Sequence, residues 1–189
     1  MAGALERFWE VRGYLSEGRK WLEQALKSSE GILLSMRSKA LRSAGWLALM
    51  QGSIDRAEIL CQQALQQYRK TRDTRGMAWS LHRLGRVAFM KNDPELSRSR
   101  LEESLALFRQ LSDQAGLAYI LQVLGHVAIE RGEPARARLH LEESLALFRE
   151  SGDKGGMAWS LYYLGRVFLW SPRTGAAPSG WICESICLV

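Results

Sequence analysis

The decapeptide LEESLALFRQ at residues 101–110 returns as LEESLALFRE at residues 141–150, with nine of ten letters unchanged and an offset of forty. A chain that repeats itself at such a spacing is an array of like units, because one short unit cannot bury its apolar side alone. The register extends well beyond the decapeptide. Leu41, Leu81, Leu121 and Leu161 fall in line, as do Gly45, Gly85, Gly125 and Gly165. So do Gly52, Asn92 and Gly132, and Ala64, Ser104 and Ser144, each of the last three followed by Leu. At twice the offset, GMAWSLHRLGRVAF lies over GMAWSLYYLGRVFL with ten of fourteen identities.

Each unit reads as two helices. In one unit Leu81, Leu84, Gly85 and Ala88 recur at the three-four spacing that lines one helix face, which defines a helix A. Asn92, Asp93 and Pro94 then supply a turn, a cap and a proline suited to a first helical position. Helix B carries Ser97, Leu101, Ser104, Leu105 and Phe108 on its inner side and stops at Ser112-Asp113. A glycine inside helix A lowers helix propensity by about 1 kcal/mol relative to alanine. Its recurrence therefore implies that helix B approaches closely there, against the small residues Ala57, Ala64, Ser104, Ala137 and Ser144.

Leu-Gly at 84–85, 124–125 and 164–165, the small residues Ala88 and Ala128 three positions after the first two (the larger Phe168 after the third), Ala57 and Ala137 in helix B, and the small-Leu pairs together resemble the tetratricopeptide repeat (TPR) family. The resemblance covers about residues 3 to 170. It implies an all-α fold, a right-handed superhelical solenoid of antiparallel helix pairs. The expected organisation is a TPR-like array over 1–170, about four helix pairs plus one unpaired helix, followed by a non-repeat C-terminal tail at 171–189. The sequence departs from the family pattern in three ways. Leu81, Leu121 and Leu161 stand where a tryptophan is common, the closing proline is absent, and the period is about forty rather than about thirty-four. Long units of this kind are similar to those of bacterial signalling ATPases and multi-domain transcription regulators. The opening RFWEVRGYLSEGRKWLEQAL resembles the first repeat of such arrays. A phosphate loop needs Gly-Lys followed by Ser or Thr, and no Gly-Lys occurs. After Trp170 the register is lost abruptly, which reads as truncation of a longer array that leaves the last helix A uncapped and prone to self-association.

The remaining text narrows the chemistry. Three cysteines, Cys61, Cys183 and Cys187, make no disulfide framework and no four-ligand zinc set. No apolar run of membrane-spanning length occurs, and the start lacks the pattern of a secretory signal, so a cytoplasmic location without membrane attachment is expected. His82, His126 and His140 form no triad or metal pattern and read as surface or groove residues. Glu102-Glu103 and Glu142-Glu143 read as a solvated face with Arg98 and Arg138 one turn earlier. No catalytic residue, metal or cofactor is expected. The net charge of +6, 26 basic against 20 acidic residues, favours acidic partners.

The side of helix A away from Leu-Gly carries aromatic and cationic residues. Arg42 and Trp46 lie there in one unit, and Trp79, His82, Arg83 and Arg86 in the next. Tyr119, Gln122 and His126 follow, then Trp159, Tyr162 and Arg166. The family resemblance implies that helix A lines a concave groove and that peptides lie along it. Trp, Tyr and Arg are enriched at binding hot spots. The expected function is a non-catalytic protein–protein interaction module for a protein or peptide, acidic in character, and the sensor or scaffold fragment of a bacterial signalling regulator. Two alternatives are a small-ligand effector-sensing segment of a transcription regulator and single-stranded nucleic-acid binding through the basic and aromatic face. No nucleic-acid motif accompanies the second, and Glu residues are interspersed with the basic ones.

Overall fold

In a computed structural model, residues 8–9, 12–27 and 33–169 are described. They are helical, with no strand among them. Eight helices can be bounded: α1 (Leu15–Lys27), α2 (Leu34–Met50), α3 (Ile54–Thr71), α4 (Thr74–Met90), α5 (Pro94–Gln110), α6 (Gln114–Glu130), α7 (Pro134–Ser151) and α8 (Lys154–Leu169). The even-numbered helices are the A helices and the odd-numbered ones the B helices of the repeat. Trp170 and the tail at 171–189, with Cys183 and Cys187, lie outside the described residues. The chain divides into two compact units at Asp93/Pro94.

In unit 1 each helix from α1 to α4 packs on the next, and the A helices α2 and α4 also touch. Leu41, Ala44, Leu47, Ala48, Ala57, Leu60, Ala64 and Tyr68 make its core. Unit 2 has the same plan, with α5 to α8 packed in succession and α6 touching α8. Ala128, Ala137, Leu141, Leu145 and Leu164 form one of its clusters. The inner faces read from the sequence are the buried ones: Leu81, Leu84 and Ala88 in α4, and Ser97, Leu101, Ser104, Leu105 and Phe108 in α5.

Two turns alternate along the chain. The A-to-B turn has a left-handed residue at Gly52, Asn92 and Gly132, and the B-to-A turn has one at Arg72, Ser112 and Gly152. In the latter turn the amide of the next aspartate returns to a carbonyl of the helix just ended, as Asp113 N–H does to Phe108 O at 3.0 Å. That aspartate caps the helix that follows. The Asp73 carboxylate accepts from Gly76 N–H at 2.8 Å, and Asp113 and Asp153 accept from Gly116 and Gly156 at 3.1 Å. These bonds satisfy donors that a helix start leaves free.

The capped glycine has a second role. A methyl group on Gly76 would collide with the Tyr68 ring, one on Gly116 with Phe108, and one on Gly156 with Phe148. Each ring comes from the end of the preceding B helix and lies flat on the start of the next A helix. The mid-helix glycines behave as the repeat implies where helix B crosses them. A Cβ on Gly45 would sit 2.6 Å from Cys61 Sγ, and one on Gly125 2.5 Å from Leu141 Cγ. At Gly165 nothing lies within 4 Å, and α8 exposes Leu161, Phe168 and Leu169.

Ion pairs join the second and third A-to-B turns to the B helix of the preceding repeat. Lys91 meets Asp55 at 2.8 Å and Glu58 at 2.5 Å, and forty residues on Arg131 pairs with Glu95 and with Glu133. Arg98–Glu102 and Arg138–Glu142 form one-turn pairs at 2.9 and 2.8 Å. Exposed pairs of this type contribute little individually, so apolar packing dominates.

Adjacent glycines of α8 test the ring contact. Gly156→Ala, beneath the Phe148 ring, should destabilise by about 1–3 kcal/mol in urea unfolding through overpacking. Gly155→Ala, whose added methyl meets only Asp153 Oδ1 at 3.4 Å, should range from neutral to about 1 kcal/mol stabilising. Equal effects would refute the assignment. Leu124→Ala, at a buried position of α6, should lose roughly 2–5 kcal/mol by the same measurement.

Candidate functional site

The polar side of the A helices is assembled differently in the two units. In unit 1 α4 packs on α2, which brings Trp46 against Arg83 and Arg86. The Arg83 guanidinium carbon lies 4.7 Å from the Trp46 ring centroid, and that of Arg86 lies 4.8 Å away. Both are cation–π distances. Trp79 meets the His82 ring edge-on at 5.6 Å. Arg42 donates a hydrogen bond to the Tyr68 hydroxyl, and burial pushes that phenol above its usual range. The cluster is therefore anchored to helix α3 as well.

Of the two places the sequence allowed for His82, surface or groove, the structure excludes an exposed surface. His82 is 4% exposed and Arg83 is 5% exposed, whereas Trp46, Arg42 and Arg86 are partly exposed. Neither nitrogen of the His82 ring has a hydrogen-bond partner. Burial pushes its pKa well below the usual range, and the guanidinium groups of Arg86, Arg83 and Arg42 push it further the same way. The ring is accordingly neutral near pH 7, within a group of three fixed cations.

In unit 2 the corresponding residues hold the A helices together. The Tyr119 hydroxyl donates to Asp153 Oδ2 at 2.7 Å, and its ring meets Phe148 edge-on at 4.9 Å. Gln122 is buried, and its Nε2 donates to Gly156 O and Ser160 Oγ, both at 3.0 Å. These bonds tie α6 to the first turn and a half of α8. Arg166 donates to Glu130 Oε1 at 2.7 Å, and His126 Nε2 lies 3.6 Å from the same oxygen. The His126 contact, with Arg166 beside it, holds the Glu130 carboxyl down at about 2. His126 stacks on Tyr163 at 4.5 Å, Tyr163 on Trp159 at 5.9 Å, and Tyr162 meets Trp159 edge-on at 5.8 Å.

The candidate residues thus fall into two groups. Arg42, Trp46, Trp79, His82, Arg83 and Arg86 form a cationic and aromatic cluster. Tyr119, Gln122, His126, Trp159, Tyr162 and Arg166 form a hydrogen-bonded and stacked one in which Arg166 and His126 meet Glu130. One participant was missed by reading only the face of helix A opposite Leu-Gly. Tyr68 belongs to a B helix; the signal for it was a tyrosine where the repeat has Phe108 and Phe148. Glu130 stands on the expected face of helix A, and its pairing with Arg166 comes from the neighbouring helix. Among the described residues no group of His, Cys, Asp and Glu could hold a metal ion. No described helix is long and apolar enough to cross a membrane.

The match to known proteins follows the repeat. A tetratricopeptide repeat family model matches residues 36–110 and, one unit on, 76–150. A comparison with curated proteins gives no match. Among solved structures the chain is similar to BtubC (BKLC) from P. vanneervenii, with 17% identity and a TM-score of 0.70, over 89% of this chain and 70% of that one. It is also similar to the nearly identical TPR-like repeats of a kinesin light chain type from Podosopora anserina, with 19% identity and a TM-score of 0.65, over 89% of this chain and 84% of that one. At these identities the likeness is one of fold. Repeat register, helix pairing and family match agree, and the chain belongs to the tetratricopeptide repeat family.

Proposed function

We propose that this protein is a non-catalytic interaction module that binds a protein or peptide partner on the polar side of its A helices. Membership of the tetratricopeptide repeat family supports an interaction scaffold. The observation that carries the reading is the unit 1 cluster, with two guanidinium groups on the Trp46 indole and a third, Arg42, beside them. Such a surface suits an acidic segment with an aromatic or aliphatic anchor. The anchor gains apolar contact with Trp46 and Trp79, and its carboxylates gain charge-assisted hydrogen bonds. Arg166 of unit 2, paired with Glu130, contributes less to an acidic partner. The stacked Trp159, Tyr162 and Tyr163 offer an apolar surface instead. The further reading, a sensor or scaffold fragment of a bacterial signalling regulator, rests on the resemblance of the opening segment and of the long repeat.

The test is fluorescence anisotropy of the full chain with labelled peptides that place Asp and Glu around an aromatic anchor, against counterparts carrying Lys. Arg42→Glu with Arg86→Glu should weaken the acidic peptides by roughly a hundredfold, a loss expected when two charge-assisted contacts become repulsive. The helical circular dichroism should be unchanged. Equal affinity of wild type and double variant rejects the assigned surface.

A further inference from the structure

One side of α8 is open. Ala158, Leu161, Tyr162, Gly165, Phe168 and Leu169 are all exposed, Phe168 at 71% and Leu169 at 84%. They recur at the three-four spacing of a single helix side. Large apolar groups gathered on one exposed side mark an interaction surface. In the three A helices before it the same side is closed. Leu41, Leu81 and Leu121 are buried there, as are Ala48, Ala88 and Ala128. A Cβ on Gly45 or Gly125 would strike the B helix that follows, whereas on Gly165 it would meet nothing within 4 Å. Two positions of α8 depart from the repeat. Phe168 stands three residues after the glycine, in place of Ala48, Ala88 and Ala128. Tyr162 stands three residues before it, in place of Arg42, His82 and Gln122. Ala128 packs with Ala137 and Leu141 of its B helix. A phenylalanine ring at that place fills the room such a crossing needs, so a further B helix of the same kind would be overpacked there.

The open side is instead its own complement. Leu161 and Tyr162 lie four and three residues before Gly165, and Phe168 and Leu169 lie three and four after it. Two copies of α8 crossing antiparallel at Gly165 set Leu161 against Leu169 of the second copy and Tyr162 against Phe168 of the second copy, each pair occurring twice. Such self-complementarity is what a two-fold interface requires. We infer that this side of α8 binds the same side of α8 in a second copy of the chain, as an antiparallel pair centred on Gly165. The glycine lets the two helix backbones approach closely. The Arg138 guanidinium carbon lies 5.3 Å from the Phe168 ring centroid, a cation–π contact that favours one position of the ring and leaves most of it exposed. The Tyr162–Phe168 ring pairs add to the area that is buried. Four large side chains from each copy bury less than the roughly 800 Å² per partner of a standard interface. The dimer is therefore weak and forms in the micromolar range. The pairing uses no residue of the unit 1 cluster and does not rest on peptide binding there.

The experiment is sedimentation equilibrium of the full chain over a range from low to high micromolar, with a reductant present to keep Cys183 and Cys187 from linking copies. A reversible monomer–dimer equilibrium is expected. Gly165→Leu is the discriminating variant. It adds apolar surface at a place where the chain itself has room, and it blocks the close crossing, so it should weaken the dimer roughly tenfold or more. Phe168→Ala, which restores the residue of the earlier repeats, should also weaken it by roughly tenfold through lost ring burial. Tyr162→Glu and Phe168→Lys should each dissociate the dimer alone. A mixture of these two variants should associate more tightly than either, because the crossing sets the new Glu of one copy against the new Lys of the other. Circular dichroism of each variant reports that the helices are retained. A wild type that stays monomeric throughout overturns the pairing and leaves the surface to another occupant. Association of Gly165→Leu equal to or tighter than that of the wild type overturns it in favour of unspecific apolar contact. A mixture no tighter than its components rules out the antiparallel register.

Discussion

The architecture depends on an aromatic ring laid on a glycine. Tyr68 covers Gly76, Phe108 covers Gly116 and Phe148 covers Gly156. Each contact joins the end of a B helix to the start of the next A helix, across the short turn where the chain reverses. The aspartate between ring and glycine caps the same helix start, so one segment fixes both the end of one helix and the entry of the next. A larger residue in place of the glycine would lift the ring and change the angle between the helices. Since side chains inside proteins are packed at crystal-like density, such a shift would pass to the neighbouring Leu and Ala contacts.

Much of this was legible in the sequence. The forty-residue register, the three-four spacing of Leu81, Leu84 and Ala88, and the turn residues Gly52, Asn92 and Gly132 fix the helices and their inner faces. These signals are local, and a single helix is enough to display them. The capping glycines were harder to read because each has two partners, an aspartate three residues before it and a ring eight residues before it. The polar side of helix A was the least legible part. Its residue types were visible, but whether each was already engaged was decided by a neighbouring helix. Gln122 and Tyr119 look like ligand-binding groups in one dimension, and both are cross-links in three. His82 reads as a surface or groove histidine, and it is buried.

The result is an array whose units share a framework and differ in their polar faces. Where unit 2 meets Tyr119, Gln122 and Arg166 with partners from the protein, unit 1 concentrates positive charge around a buried imidazole. The framework does not require that difference, since Gln122 shows a satisfied alternative at the same register. A repeat fold allows this freedom because the inner faces carry the stability and leave the other side of each A helix free to vary.

The crossing of α2 and α3 also has a kinetic meaning. Gly45 allows the two helices to meet so closely that Cys61, whose sulfur is in no disulfide, is 0% exposed. A reagent of any size can reach that sulfur only when the hairpin parts. The rate at which Cys61 is alkylated in the native protein therefore times the breathing of this pair of helices, separately from unfolding of the whole chain.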